Sequence, residues 1–421
     1  MADSSRGLRL PAVLREEPQF RLLFLGQALS VLGDRVIAVV LPFAVLSVGG
    51  DVRSVALVSA AQFLPFAVLA LPAGVWADRL PRKRILIASD SVRLVCQLIA
   101  GLLLVSGHAT VPQLVVLAAI YGAADAFFSP AITGLLPETV SVGNIQPANA
   151  LRGMSMSLGS IIGPAIAAGL VALAGPGDAL LFDAATFAVS VACLIPLRPR
   201  AIPPDPSVAS AEDDTFLTSL KEGWREVRKR RWVEAGLIGI SSYHVIVLPA
   251  IFVLGPVLAV QDFHGAKGWA LIVAGFGIGS LLGDLLLLAW RPRFALRTST
   301  LMLLGAGCQA AIIGSGLGVF AIAGLEVLAG ICVTGFFSLW ETSLQEHIPN
   351  AALSRVSSYD YFCSVGLLPL GNLVAGAVSA AVGLRPALLT MSALSVLVTL
   401  GILAVPEVRH LPRGDAVPVS V

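Results

Sequence analysis

From Phe20 to Val405 the chain alternates long apolar stretches with short polar loops, twelve times over. Each stretch is about as long as the 20 helical residues that a hydrocarbon core of roughly 30 Å requires. A segment that leaves water has to satisfy its own backbone groups, so the stretches predict helices. The pattern places spans at 20–48, 55–77, 85–107, 111–137, 150–174, 178–197, 233–260, 268–290, 295–315, 317–343, 357–382 and 385–405. The predicted fold class is all-α, a polytopic membrane protein of twelve transmembrane helices in two six-helix halves.

The longest break in the apolar pattern lies in the middle. It divides the chain into an N-terminal tail (1–19), a first half (20–197), a linker (198–232), a second half (233–405) and a tail (406–421). The linker passes through Pro203, Pro204 and Pro206 and the acidic patch Glu212, Asp213 and Asp214. Beyond these, Phe216, Leu220, Trp224 and Val227 share one face of a helix, with Lys221, Arg225 and Arg228 opposite. Such a helix suits the inner leaflet and tethers the halves. The halves also echo each other. Leu136, Pro137, Glu138, Asn149, Arg152 and Gly163 in the first correspond to Leu344, Gln345, Glu346, Asn350, Arg355 and Gly366 in the second, as the repeats of large secondary transporters do.

Composition agrees with burial in lipid: 56% hydrophobic and 13% charged residues, with 41 glycines that permit close helix packing. Net charge, at +2, says less than where the charges fall. Of the 28 lysines and arginines, 23 lie on the side of the termini, in its tails, loops and adjoining span ends. Arg53, Lys267 and Arg385 lie on the other side, and Arg35 and Arg93 lie within spans. The positive-inside rule therefore predicts cytoplasmic termini in a cell inner or plasma membrane, with the first span serving as its own insertion signal. The five cysteines (Cys96, Cys193, Cys308, Cys332, Cys363) fall within spans without metal-ligand spacing and read as small buried hydrophobes.

The loop after span two reads Gly74-Val75-Trp76-Ala77-Asp78-Arg79-Leu80-Pro81-Arg82-Lys83-Arg84. Gly74 permits close packing, Asp78 can pair with Arg79 or Arg82 or meet a helix N-terminus, and the basic cluster suits anionic lipid. This sequence resembles the loop signature of the major facilitator superfamily, with Pro81 in place of its second glycine. Span five carries Gly159, Gly163, Pro164, Ala167, Ala168 and Gly169, similar to the antiport element of that superfamily except that alanines replace its last two glycines. It also reads as a plain packing ridge, paralleled by Gly275, Gly279 and Gly283 in span eight; both ridges are expected at the interface between the halves. Further segments resemble the macrolide- and enterobactin-exporter branch of the drug:proton antiporters: Phe20 to Gln27, Leu32-Gly33-Asp34, Ile87 to Asp90 with Arg93, Leu135 to Glu138, and Asn149 to Arg152. The resemblance covers the first half well and the second loosely. It implies a major facilitator fold and export from the cytoplasm driven by proton entry.

Ionisable residues within the bilayer are expensive and need a reason. Asp34 and Arg35 fall near mid-membrane in span one, and Asp125 lies equally deep in span four. A carboxylate that moves between wet and dry surroundings can take up and release a proton, so Asp34 and Asp125 are the proton-coupling candidates. His244 in span seven is a possible relay or a hydrogen-bonded histidine that never titrates. Arg35, Tyr243, Trp340 and Glu341 are substrate-cavity candidates, with a fixed Arg35–Asp125 pair as the alternative for those two charges. Asp90 and Arg93 read as gate or packing charges near the basic loop, with substrate contact the lesser alternative. Glu326 lies toward the outer side of span ten, and Asp183, Asp284 and Asp360 lie nearer helix ends. Many related antiporters carry a buried arginine in span four, and here that span has none.

No phosphate loop, metal-ligand cluster or nucleophile–base arrangement stands out, so neither enzymatic activity nor a cofactor is expected. Gly275, Gly277 and Gly279 imitate a dinucleotide fingerprint but lie inside a span. The leading reading is a monomeric secondary transporter exchanging protons for amphipathic small molecules such as drugs, antibiotics or siderophores, with no nucleic-acid partner. An uptake symporter of a small metabolite is the alternative, weakened by the lack of a dense polar cluster in spans one and seven. A non-transporting sensor is the third.

Overall fold

A computed structural model describes residues 12–200, 224–348, 356 and 359–412, with backbone alone for 70–79 and a few single positions. Its twelve long apolar helices fall within a few residues of the expected spans. Spans one to six are Pro18–Ser47, Val52–Arg79, Arg82–Val105, Val111–Thr139, Ile145–Leu173 and Pro176–Leu194. Spans seven to twelve are Arg231–Asp262, Ala266–Ala289, Ala295–Gly314, Val319–His347, Tyr359–Val382 and Leu384–Ala404. Of the linker helix only the end beginning at Trp224 is described; Phe216 and Leu220 lie outside the described residues, as do Asn350 and Arg355.

In the first half, span one packs on five and six, span two on four, and span three on four and six. In the second, span ten packs on eight and nine, and span twelve on nine and eleven. The halves meet most extensively where span two packs on eleven and span five on eight, with smaller contacts of span one on seven and eight and of span two on seven. At the end of the bundle opposite the termini, one apolar core draws on both halves, including Val39 and Val40 of span one, Val55 and Val58 of span two, and Leu254 and Trp269 beyond the linker. At the terminus end the cores are separate, one in the second half around Trp232, Phe336 and Trp340, the others in the first half around Leu86 and Leu135 and around Phe20 and Leu136. Among the described residues, the halves thus share one core at the far end and keep separate cores at the terminus end.

The glycine ridges serve a different interface from the one expected. Gly159 and Gly163 face Val31 and Arg35 of span one, and a Cβ built on Gly163 would stand 2.6 Å from that of Arg35. Gly275 and Gly279 lie against the backbone carbonyls of Ala323 and Val327 in span ten. Each ridge therefore packs within its own half. Spans five and eight meet through Gly277, whose built Cβ would lie 3.1 Å from the Ser160 carbonyl oxygen. A larger side chain at a helix-on-helix contact made by backbone atoms forces the helices apart. Gly279→Val is expected to destabilise the second half by about 1–3 kcal/mol, read as a lower melting temperature of the purified protein, whereas Gly324→Val, which meets nothing, should leave it unchanged.

Span seven is locally widened, with π-type turns at Tyr243–Val247 and Ala250–Leu254, where Leu248 N–H donates to Tyr243 O and Gly255 N–H to Ala250 O. Pro249 stands between them and lacks the N–H that a regular helix would direct to Val245. Gly371 of span eleven fits against that Val245 carbonyl.

At the terminus end Glu17 holds several segments together. Its carboxylate accepts from the Ser141 amide (2.8 Å) and hydroxyl (2.6 Å), from Asn144 (3.1 Å) and from the Arg200 guanidinium (2.9 Å). Those donors hold the Glu17 carboxyl down at about 2, below its ordinary 4.5. A depressed carboxylate stabilises the fold above its unfolded value and loses that contribution as the pH falls through the folded one. Glu17→Gln is therefore expected to melt lower than wild type at neutral pH, by about 1–3 kcal/mol. The gap should close as the pH falls from about 4.5 toward 2; a gap that widens on acidification would refute the sign.

Candidate functional site

Among the described residues, two systems of ionisable side chains stand out inside the bundle. In the first half Arg93 of span three is fully buried, with its guanidinium carbon 4.3 Å from the Phe128 ring centroid and 4.5 Å from that of Phe187. It pairs with Asp90 one turn earlier, reaches Asp125 of span four at 3.2 Å and approaches Asp34 of span one at 3.8 Å. The Tyr121 hydroxyl donates to Asp34 at 2.5 Å, the Ser190 hydroxyl donates to Asp90 at 2.5 Å, and Gln27 donates to Ser190 at 3.1 Å. Deeper against span six, Asp183 accepts from Gln97 (2.7 Å) and Thr186 (3.3 Å). Gly33 makes this convergence possible, because any Cβ there would collide with Asp183 and Thr186.

Burial divides the carboxylates. Asp90 and Asp183 are sealed, whereas the side chains of Asp34 and Asp125 are 34% and 38% exposed. Asp125 also lies within electrostatic range of Tyr361 on span eleven, in the other half. Three carboxylates thus surround one guanidinium, and two of them are accessible.

The second system is a cavity of about 400 Å³ between spans one, five, seven, eight, nine and ten. Its walls are mainly apolar, with Val39, Ile161, Phe252, Trp269 and Phe276 among them, and its charged lining residues are Arg35, Asp284 and Glu326. Glu326 is 1% exposed and accepts from Gln309 at 2.8 Å, which in turn accepts from the Tyr243 hydroxyl at 3.3 Å. Span one links the two systems: Asp34 turns toward Arg93 while its neighbour Arg35 turns to the cavity.

Several expectations change. The alternative Arg35–Asp125 pair does not form; Asp125 pairs with Arg93. Asp90 and Arg93 belong to the buried cluster rather than to the loop, and the arginine beside Asp125 comes from span three. Trp340 does not line the cavity. It is buried in the second-half core against Gly236 and Trp232 and donates to Asp360 at 2.8 Å. Tyr243 is likewise buried and reaches the cavity only through Gln309. His244 is half-buried, with Nδ1 2.9 Å from the Ile240 carbonyl and its ring against Phe337. Glu341 is exposed, near Asp360. The side chains of Gly74, Asp78 and Arg79 lie outside the described residues. Arg82 bridges to Glu138 at 2.7 Å, and Lys83 donates to the Ile195 carbonyl at 2.7 Å. Pro164 lines the cavity.

Twelve membrane-length helices around an internal cavity define a polytopic transporter. The chain belongs to the Major Facilitator Superfamily, whose pattern matches residues 23–366, and members of that family are transporters rather than enzymes. It is 23% identical over 400 residues to Macrolide efflux protein A of Streptococcus pyogenes, covering 93% of this chain and 97% of that one. It is 25% identical over 430 residues to Multidrug efflux pump Tap of Mycobacterium tuberculosis (99% and 98% covered), and 27% over 434 residues to Enterobactin exporter EntS of Citrobacter koseri (97% and 96%). Among solved structures, nucleoside transporter NupG (D323A mutant) superposes with a TM-score of 0.73 at 12% identity, over 92% of this chain and 99% of that one, which speaks for the fold alone.

Proposed function

We propose that the protein is a proton-coupled exporter of amphipathic small molecules, working as a monomer by alternating access in the cell membrane with both termini in the cytoplasm. The observation that carries this reading is the placement of Asp34 and Asp125. Both are accessible, both lie beside the buried Arg93, and Asp34 is followed directly by a residue of the cavity wall. Proton uptake by either carboxylate weakens its hold on Arg93 and shifts span one or span four, and span one carries that shift to Arg35. Substrate leaving the cavity and proton entering the cluster thereby become alternatives.

The charge asymmetry supports cytoplasmic termini, and on that basis the end with separate cores faces the cytoplasm. A mainly apolar cavity with three charged residues suits an amphipathic molecule better than a sugar or another densely hydroxylated metabolite. Export by protein-relatives of similar length points the same way. Gly74, Asp78 and Arg79 at the end of span two, with Arg82 and Lys83 at the start of span three, steady the gate, Gly159 and Gly163 let span five lie close on span one, and Pro164 shapes the cavity wall. The test is transport in inverted membrane vesicles. An acid interior should drive accumulation of a lipophilic fluorescent compound by exchange for protons; uptake symport would require an acid exterior to drive inward movement in that orientation and would overturn the reading.

A further inference from the structure

We propose that Glu326 anchors the positive charge of an organic cation, which makes monovalent lipophilic amines and onium ions the preferred substrate class. The inference rests on the reading of the cavity as the transport site and adds what that site selects. Glu326 is 1% exposed, and among the described residues its Oε1 has no hydrogen-bond partner, while Oε2 is held by Gln309. A buried carboxylate is normally fully partnered, and an ionisable residue at membrane depth carries a functional expectation. Here the unpartnered group belongs to a side chain that lines the cavity.

The surroundings select the occupant. Trp269, Phe276 and Phe252 line the same cavity, and aromatic faces attract a desolvated cation. A small, strongly hydrated inorganic ion would need several oxygen ligands, and the cavity's lining carboxylates are only Glu326 and Asp284. Those two lie apart. Gly279 packs against Val327, so Glu326 sits level with that part of span eight, and Asp284 follows five residues on, about 8 Å of helical rise further. The chain Tyr243–Gln309–Glu326 fixes the carboxylate from behind, so its free oxygen is positioned before a ligand arrives.

The test is equilibrium binding to purified protein in detergent, with no membrane and no gradient. The probes are tetraphenylphosphonium and its neutral analogue triphenylphosphine oxide. Wild type should prefer the cation, and Glu326→Gln should weaken cation binding tenfold or more while leaving the neutral probe within about twofold. Equal binding of the two probes by wild type, or a Glu326→Gln protein that keeps its cation affinity, overturns the proposal. So does equal loss of both probes in that variant, since it would mark Glu326 as structural. Absence of proton coupling in vesicles would sink the exporter reading and leave this binding result standing, so the two failures are distinguishable.

Discussion

Arg93→Gln is expected to abolish gradient-driven transport and to destabilise the first half by about 3–5 kcal/mol, because it leaves carboxylates without their shared counter-charge. Arg93 is fully buried and answers Asp90, Asp125 and Asp34 at once, so glutamine would leave negative charge facing negative charge in a medium that screens poorly. Lysine is not an adequate replacement. An ammonium ion is a single point charge, whereas the flat guanidinium lies between the Phe128 and Phe187 rings and spreads its donors among partners on three helices. Arg93→Lys is therefore expected to fold but to transport at less than a tenth of the wild-type rate. Thermal melts of both variants, together with vesicle transport, separate the structural loss from the functional one. An Arg93→Gln protein that melts and transports as wild type does would show that the cluster is dispensable.

The second large effect concerns Asp125. Asp125→Asn preserves shape and removes only the exchangeable charge. It should cut gradient-driven accumulation tenfold or more while leaving substrate counterflow, which needs no net proton movement, within about twofold. Asp34→Asn is expected to behave similarly but to lose more stability, because the Tyr121 hydroxyl at 2.5 Å loses a charged acceptor. Asp90 and Asp183 differ from both. Each is sealed and held by hydroxyl or amide donors, so their asparagine variants should fail through folding rather than through coupling.

Much of the fold was legible in the sequence because the signal for a membrane helix is length and apolarity, and both are local properties. All twelve spans were readable on that ground, and so was the position of Asp34 and Asp125 midway along their helices. The partners of the charges were harder to read. Asp90 and Arg93 follow a basic loop closely in sequence, but eight and eleven residues past Arg82 correspond to roughly 12 and 17 Å of rise, already near mid-membrane. Counting rise from Arg82 was the available signal. Trp340 and Tyr243 were misplaced for another reason: helices that are apolar on every side give no periodicity to tell a cavity face from a core face. Similarly, glycine spacing marks a close approach without naming the helix approached, so the ridges of spans five and eight were legible as ridges but their partners were not. Glu326 was visible as a charge in a span, while its partner Gln309 lies 17 positions away on another helix and could be found only in three dimensions.

The central claim is that Asp34 and Asp125 couple proton entry to substrate exit. Its most direct test is proton flux from proteoliposomes under an imposed pH gradient, on addition of cationic, neutral and anionic amphiphiles, with wild type, Asp34→Asn and Asp125→Asn compared. The account predicts that an amphiphile releases protons through the wild-type protein and that at least one of the two variants abolishes the release while still exchanging substrate. Equal substrate movement in all three proteins with no dependence on the gradient would contradict it.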